Sequence, residues 1–199
     1  MPSLPSPRTP TKLDHAFFAR PAIELAPDLV GTILVRRVRG REYQARIVET
    51  EAYVGSHDLA CHAAKGRTKR TEVMFGRAGH AYVYFIYGMY DMLNIVASDL
   101  DDPQAVLIRG AVPLDGWQAD LTGPGKLTRA LRITRAQNGL DLTGDKLFLL
   151  QNPNPRPQLV TTPRIGIDYA REWKDAMLRY VDADWVSVGR SQKRQALPR

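Results

Sequence analysis

The chain has 199 residues, 44% of them hydrophobic and 25% charged, with one cysteine and no apolar run near the length of a bilayer span. These figures describe a single globular domain with a real core, and exclude a membrane-spanning helix, an internal disulfide and a cysteine-rich zinc site. The formal net charge of +7 favours polyanionic partners such as nucleic acid.

Residues 1–12 are rich in proline and serine and lack the apolar stretch of a secretory signal, so they read as a disordered tail of a cytoplasmic protein. The basic stretch 189–199 reads as a second tail, leaving 13–188 as one domain. Pro21 opens a short helix through Leu25 and Leu29 that Gly31 stops. Thr32–Val38, the turn Arg39-Gly40-Arg41 and Tyr43–Tyr53 predict a hairpin. A period of two places Tyr43, Ala45, Ile47, Glu49, Glu51 and Tyr53 on one face of its second strand. Two acids and a ring thus share a face.

Residues 55–79 form a long mixed segment, expected to be functional or to hide a short helix or two. His80–Tyr87 is strongly β-prone, and Gly88–Asp91 turns it into Met92–Val96; Ala105–Val112 is another strand. Gly123-Pro124-Gly125-Lys126 leads into an amphipathic helix over 127–133, where exposed amides and Lys126 could hold a phosphate. Lys146–Leu150, Thr162–Ile167 and Arg179–Val181 complete the strands, with Trp173 and Trp185 as core candidates. The class is mixed α/β, a curved and mainly antiparallel sheet flanked by short helices.

The central third gathers acids (Glu49, Glu51), an imidazole (His62), five tyrosines (Tyr53, Tyr82, Tyr84, Tyr87, Tyr90) and the amide of Asn94. Such a set can stack a flat ligand and attack it with water. His57, Asp58, Cys61 and His62 match no usual zinc spacing, so the metal-free reading is preferred.

The runs Arg46–Tyr53, Ala60-Cys61-His62, Tyr82–Tyr90 with Asn94, Val106–Arg109 and Gly123–Leu127 closely resemble the alkyladenine (3-methyladenine, methylpurine) DNA glycosylases. The resemblance covers nearly the whole folded chain, from about Phe17 to Val188. It implies a monomeric, monofunctional enzyme that hydrolyses the N-glycosidic bond of damaged purines in duplex DNA during base excision repair, without metal or cofactor. A base cannot be attacked inside the stack, so it must be rotated into a pocket while a side chain fills the gap. The resemblance assigns that wedge to Tyr87 and the general base to Glu51, a choice that periodicity alone leaves open between Glu49 and Glu51. It sets Tyr53 and His62 against Tyr84 around the extruded base, has Tyr82 orient His62, and gives backbone groups of Ala60 and His62 the purine edge. Asn94 would crowd the guanine amino group, Arg109 would meet a phosphate with Leu107 nearby, and Ile165 and Gly166 would line the approach. Two other classes fit parts of the pattern. One is a silent lesion-sensing DNA binder; the other is a nucleoside or sugar glycosidase using Glu49 and Glu51 as an acid pair.

Overall fold

A computed structural model describes residues 10–86 and 88–186. Nine strands form one sheet: β1 (Thr11–Lys12), β2 (Ile33–Val38), β3 (Arg41–Tyr53), β4 (Ala81–Ile86), β5 (Tyr90–Ala97), β6 (Gln104–Pro113), β7 (Leu147–Gln151), β8 (Leu159–Thr162) and β9 (Arg179–Asp182). The main path runs β1-β7-β2-β3-β6-β5-β4, β9 joins β3 to β8, and every pairing is antiparallel. Short α-helices accompany it, among the described residues α1 (His15–Phe18), α2 (Ala22–Leu29), α3 (Pro124–Ala130) and a helical turn at 183–186. The mixed α/β class read from the sequence is the one observed.

The helix α2 shows why the core sits where it does. Its buried residues Ala22, Leu25, Ala26 and Leu29 recur at helical spacing, so one stripe packs against the sheet. Gly31 follows in the left-handed region at φ 95, and its amide donates to the Ile47 carbonyl at 2.8 Å, tying the helix end to β3. A side chain there would also collide with Pro157, whose Cδ lies 2.8 Å from where a Cβ would be. From β3, the buried Thr50 hydroxyl donates to the Ala26 carbonyl at 2.8 Å, satisfying a helix-end acceptor.

That last contact exposes a correction. Simple alternation would put Thr50 opposite Ala45 and Ile47, yet all three share the core face with Ala52. Between Ile47 and Glu49 the register with β6 slips by one, leaving Val48 extra, and a second slip at Arg109 restores it. The bulge therefore swaps the faces of β3: odd residues face the core before it, and even residues after it. Glu49, Glu51 and Tyr53 do share a face, but Tyr43, Ala45 and Ile47 are not on it.

Three further expectations change. Thr11 and Lys12, placed in the N-terminal tail by composition, pair with Gln151 and Leu150 on the edge of β7. Lys12 is held there by Asp145 at 2.8 Å, while its ammonium sits over the Phe148 ring. Residues 163–167 are not a strand, because Arg164 turns inward and Gly166 adopts φ 76. The third helix starts at Pro124 rather than Leu127, so Gly125 lies inside it, pressed on Tyr90; an added Cβ would fall 2.5 Å from that ring. Trp173 packs on the core from its rim and Trp185 is half-buried, whereas Trp117 stacks edge-on to Tyr43 and donates to the Gln44 carbonyl at 2.7 Å. The segment 55–79 holds two single-turn 3₁₀ helices, His62–Lys65 and Glu72–Phe75.

Candidate active site

The sheet register assembles the site. Glu51 lies opposite Leu107, Leu107 opposite Asn94, and Asn94 opposite Tyr82, so four residues from four strands form one row across β3, β6, β5 and β4. With strands about 4.8 Å apart, this row spans roughly 14 Å. Two residues along β4, Tyr84 points to the same side, and two along β6 so does Arg109. Tyr82, Tyr84, Asn94, Leu107, Arg109 and Tyr53 line a cavity of about 250 Å³, roofed by Ala60, Cys61 and His62 on one side and by Ile165, Gly166 and Ile167 on the other. Chain segments more than a hundred residues apart thus meet over one wall.

Behind the lining residues Tyr53, Arg109 and Ile165, Glu51 is wholly buried and is not itself part of the cavity surface. Its Oε1 accepts from the Ile165 amide at 2.8 Å and its Oε2 from the Tyr53 hydroxyl at 3.0 Å, while Arg109 Nε stands 3.4 Å away. Burial holds the carboxyl above its ordinary range, against the opposing pull of Arg109, the Ile165 amide and Tyr53. Burial also pushes the Tyr53 phenol well up, so it stays a donor to Glu51.

The roof is set by His62. Its Nδ1 is 2.9 Å from the Tyr82 hydroxyl and its Nε2 3.4 Å from Arg70 Nη2. Arginine can only donate, so Nε2 carries the lone pair and Nδ1 gives its proton to Tyr82. Burial, assisted by Arg70 and Lys65, lowers the imidazole to about 4, and His62 is therefore neutral at physiological pH. Its ring meets Tyr84 edge-on with centroids 4.4 Å apart. No flat ligand fits between those two rings, so His62 stands beside Tyr84 rather than across from it.

Several contacts had no sequence signal. The Arg164 guanidinium covers the Tyr53 ring at 4.8 Å and grips the buried Asp58 with both terminal nitrogens, at 2.5 and 2.8 Å. Asp58 Oδ1 takes the Ala60 amide at 3.0 Å, so of the Ala60 backbone groups, one or other of which was expected at the purine edge, the N–H is already engaged. Asp58 is equally removed from the metal reading by its arginine. Glu49 accepts from Arg109 Nε at 2.9 Å and from Arg179 Nε at 2.7 Å. Cys61 is buried, and burial raises its thiol to about 11. A lone arginine inside the apolar run Ile165–Ile167 and Pro163 was the only hint of Arg164.

Lys126 does not join the cavity lining. It is exposed and paired with Asp120 at 2.7 Å on a seven-residue helix. Tyr87, the expected wedge, lies outside the described residues; β4 ends at Ile86, and Met89 in the following turn is exposed.

Comparison with known proteins gives the same direction. The family model described as methylpurine-DNA glycosylase matches residues 16–185. A protein of Myxococcus xanthus is 49% identical over 182 residues, covering 89% of this chain and 94% of its own. One of Legionella pneumophila (strain Lens) is 45% identical over 174 residues, 87% and 95% of the two chains. A third, from Methanocella arvoryzae, is 45% identical over 173 residues, 80% and 86%. Each bears the name "Putative 3-methyladenine DNA glycosylase". With the family matched over most of its length, this chain belongs to the methylpurine-DNA glycosylases, hydrolases of N-glycosyl bonds in DNA.

Proposed function

We propose that the protein is a monofunctional glycosylase that draws alkylated or otherwise damaged purines out of duplex DNA and hydrolyses their bond to the sugar. The observation that carries this reading is a ring-lined cavity with a buried carboxylate directly behind it, bonded to the lining residues Tyr53 and Ile165 and with its acidity weakened. Tyr87, the residue that follows Ile86 in the sequence, fills the gap left in the stack. The base enters between Tyr53, backed by Arg164, and Tyr84 with His62 at its side. A cationic N3- or N7-alkylated purine gains cation–π attraction there, on the order of 1 kcal/mol or more once desolvated. The His62 amide and the Ala60 carbonyl read its edge, and Asn94 crowds the exocyclic amine of guanine.

Hydrolysis then needs a base for water and a negative charge near the sugar. Glu51 takes the water proton as oxygen bonds to C1′, and the departing purine keeps the electron pair of the broken C1′–N bond. Its charge also offsets the positive charge growing on the ring. Arg109 meets the neighbouring phosphate through its terminal nitrogens while Nε stays on Glu49; Leu107, Ile165 and Gly166 border the path. Lys126, freed from Asp120, adds a weaker backbone contact. Glu49 lies between two guanidiniums that both bind its carboxylate, which disfavours the acid-pair glycosidase reading.

A panel of duplexes, each carrying one lesion, tests this. Free base should be released without strand cleavage, in the presence of chelators, and not from free nucleosides. Intact lesions throughout the panel, with binding retained, would establish the silent sensor instead.

A further inference from the structure

Glu49 sits two residues before Glu51 on the same face of β3, and its carboxylate is provided for by the fold. The two register slips place it opposite Gly110, where an added Cβ would stand 3.3 Å from Glu49 Cβ and 3.5 Å from its Oε2. A glycine there leaves space for the carboxylate. Arg179 of β9, opposite Glu51 in the ladder, donates Nε to Glu49 at 2.7 Å and is itself steadied by the Thr162 hydroxyl at 2.8 Å. Arg109 has a single Nε proton, and it goes to Glu49 at 2.9 Å; the Glu51 oxygen at 3.4 Å lies beyond the 2.7–2.9 Å usual for a charge-assisted bond.

We propose that Glu49, anchored by Arg179, is a positioning residue that holds the Arg109 guanidinium off Glu51, so that Glu51 stays basic enough to activate water. Two carboxylates and two guanidiniums make the array neutral, and the geometry decides which carboxylate is paired. Glu49 takes both close bonds and is inert. Glu51 keeps only an amide and a phenol. The charged or titratable groups around Glu51 are Arg109 from β6, Glu49 and Tyr53 from its own strand, Tyr84 from β4, Arg164 from the 163–167 segment and, through Glu49, Arg179 from β9. Of these, Glu49 and Arg179 form no hydrogen bond to Glu51 and line no part of the cavity, so changing either leaves the cavity lining and both hydrogen bonds of Glu51 in place.

The inference rests on the glycosylase reading and is tested by single-turnover base release against pH, with enzyme in excess over a duplex carrying one hypoxanthine. Removing the negative charge in Glu49→Gln, which is isosteric, lets Arg109 settle on Glu51. The acid limb should move down by about one pH unit and the plateau should fall roughly tenfold. Arg179→Met does the opposite to the charge around Glu51, and its limb should move up. Affinity for the same duplex should stay near the parental value in both. Opposed shifts support the positioning role, since a purely structural part would lower melting temperature and leave the limb in place. If Arg179→Met does not fold, the sign in Glu49→Gln alone decides. Unmoved limbs, or two shifts in one direction, overturn this inference while leaving the glycosylase standing. A parent chain that released no hypoxanthine or alkylated base would overturn both.

Discussion

Two buried carboxylates flank Tyr53, and the fold treats them in opposite ways. Asp58 accepts four hydrogen bonds: two from the Arg164 guanidinium, one from the Val54 amide at 3.2 Å and one from the Ala60 amide. Glu51 accepts two, from an amide and a phenol, and its nearest arginine is bound elsewhere. Both side chains are fully shielded from solvent. A charge whose oxygens are all matched serves as a strut joining the end of β3, the 55–61 loop and the 163–167 segment. A charge matched in part keeps some of its appetite for a proton, which is what a general base requires.

Replacing Glu51 sharpens that contrast most. In Glu51→Gln base release should fall about 10²- to 10⁴-fold, measured in single turnover, while lesion duplex still binds. Stability should move the other way. The folded carboxyl is raised above its unfolded value, so its ionisation opposes folding at neutral pH and ceases to matter below the unfolded value near 4.3. The variant should therefore melt above the parent at pH 7, with the gain shrinking as pH falls towards about 4. A variant that melts lower at pH 7 would place Glu51 among the struts.

Asp58→Ala should behave in reverse. It leaves the Arg164 charge buried without its partner, which costs about 3–5 kcal/mol in chemical denaturation. Base release should weaken with it, because the same arginine backs Tyr53 and the adjoining Ile165 amide holds Glu51. A loss under about 1 kcal/mol would mean that water replaces the ion pair, and the distinction between strut and base would fail.

A smaller effect comes from His62, the neutral member of the wall. Its folded value of about 4 lies below the ordinary 6.5 of a histidine, so the unfolded chain binds the proton first as pH falls. Stability is then lost between about pH 6.5 and 4, on the order of 2 kcal/mol, and His62→Gln should remove that slope. Equal slopes for parent and variant would show that Arg70 and Tyr82 do not hold the ring uncharged.

Much of this frame is legible in the residues, and the reason is local. Alternation and turn glycines mark β2 to β6, and the 22-25-26-29 spacing marks α2. What escapes is whatever depends on a partner far along the chain. The bulge at Val48 inserts one ordinary residue into a regular strand, so the face exchange leaves no trace in composition. Asp58 and Arg164 are 106 positions apart, and Glu49 and Arg179 are 130; neither pairing has a periodicity to reveal it. The pocket residues Tyr53, His62, Tyr82, Tyr84 and Asn94 were reachable through the family resemblance, which encodes long-range proximity that spacing cannot. The same resemblance did not foretell that Ala60 gives its amide to Asp58, because that is a property of the assembled loop.

A third carboxylate separates the number of partners from burial as the cause of these differences. Glu72 receives Arg67 in the same two-pronged way that Asp58 receives Arg164, with Nε at 3.0 Å and Nη2 at 2.8 Å, and Asp101 adds a further bond at 2.9 Å. All three side chains are more than half exposed, so water replaces each bond as it breaks and salt screens the rest. Arg67→Ala should leave the melting temperature indistinguishable from the parent's at physiological salt, and base release unchanged. If it instead destabilised the protein as Asp58→Ala does, pairing geometry rather than desolvation would set the strength of these struts, and the case for Glu51 as the under-partnered exception would have to rest on its hydrogen-bond count alone.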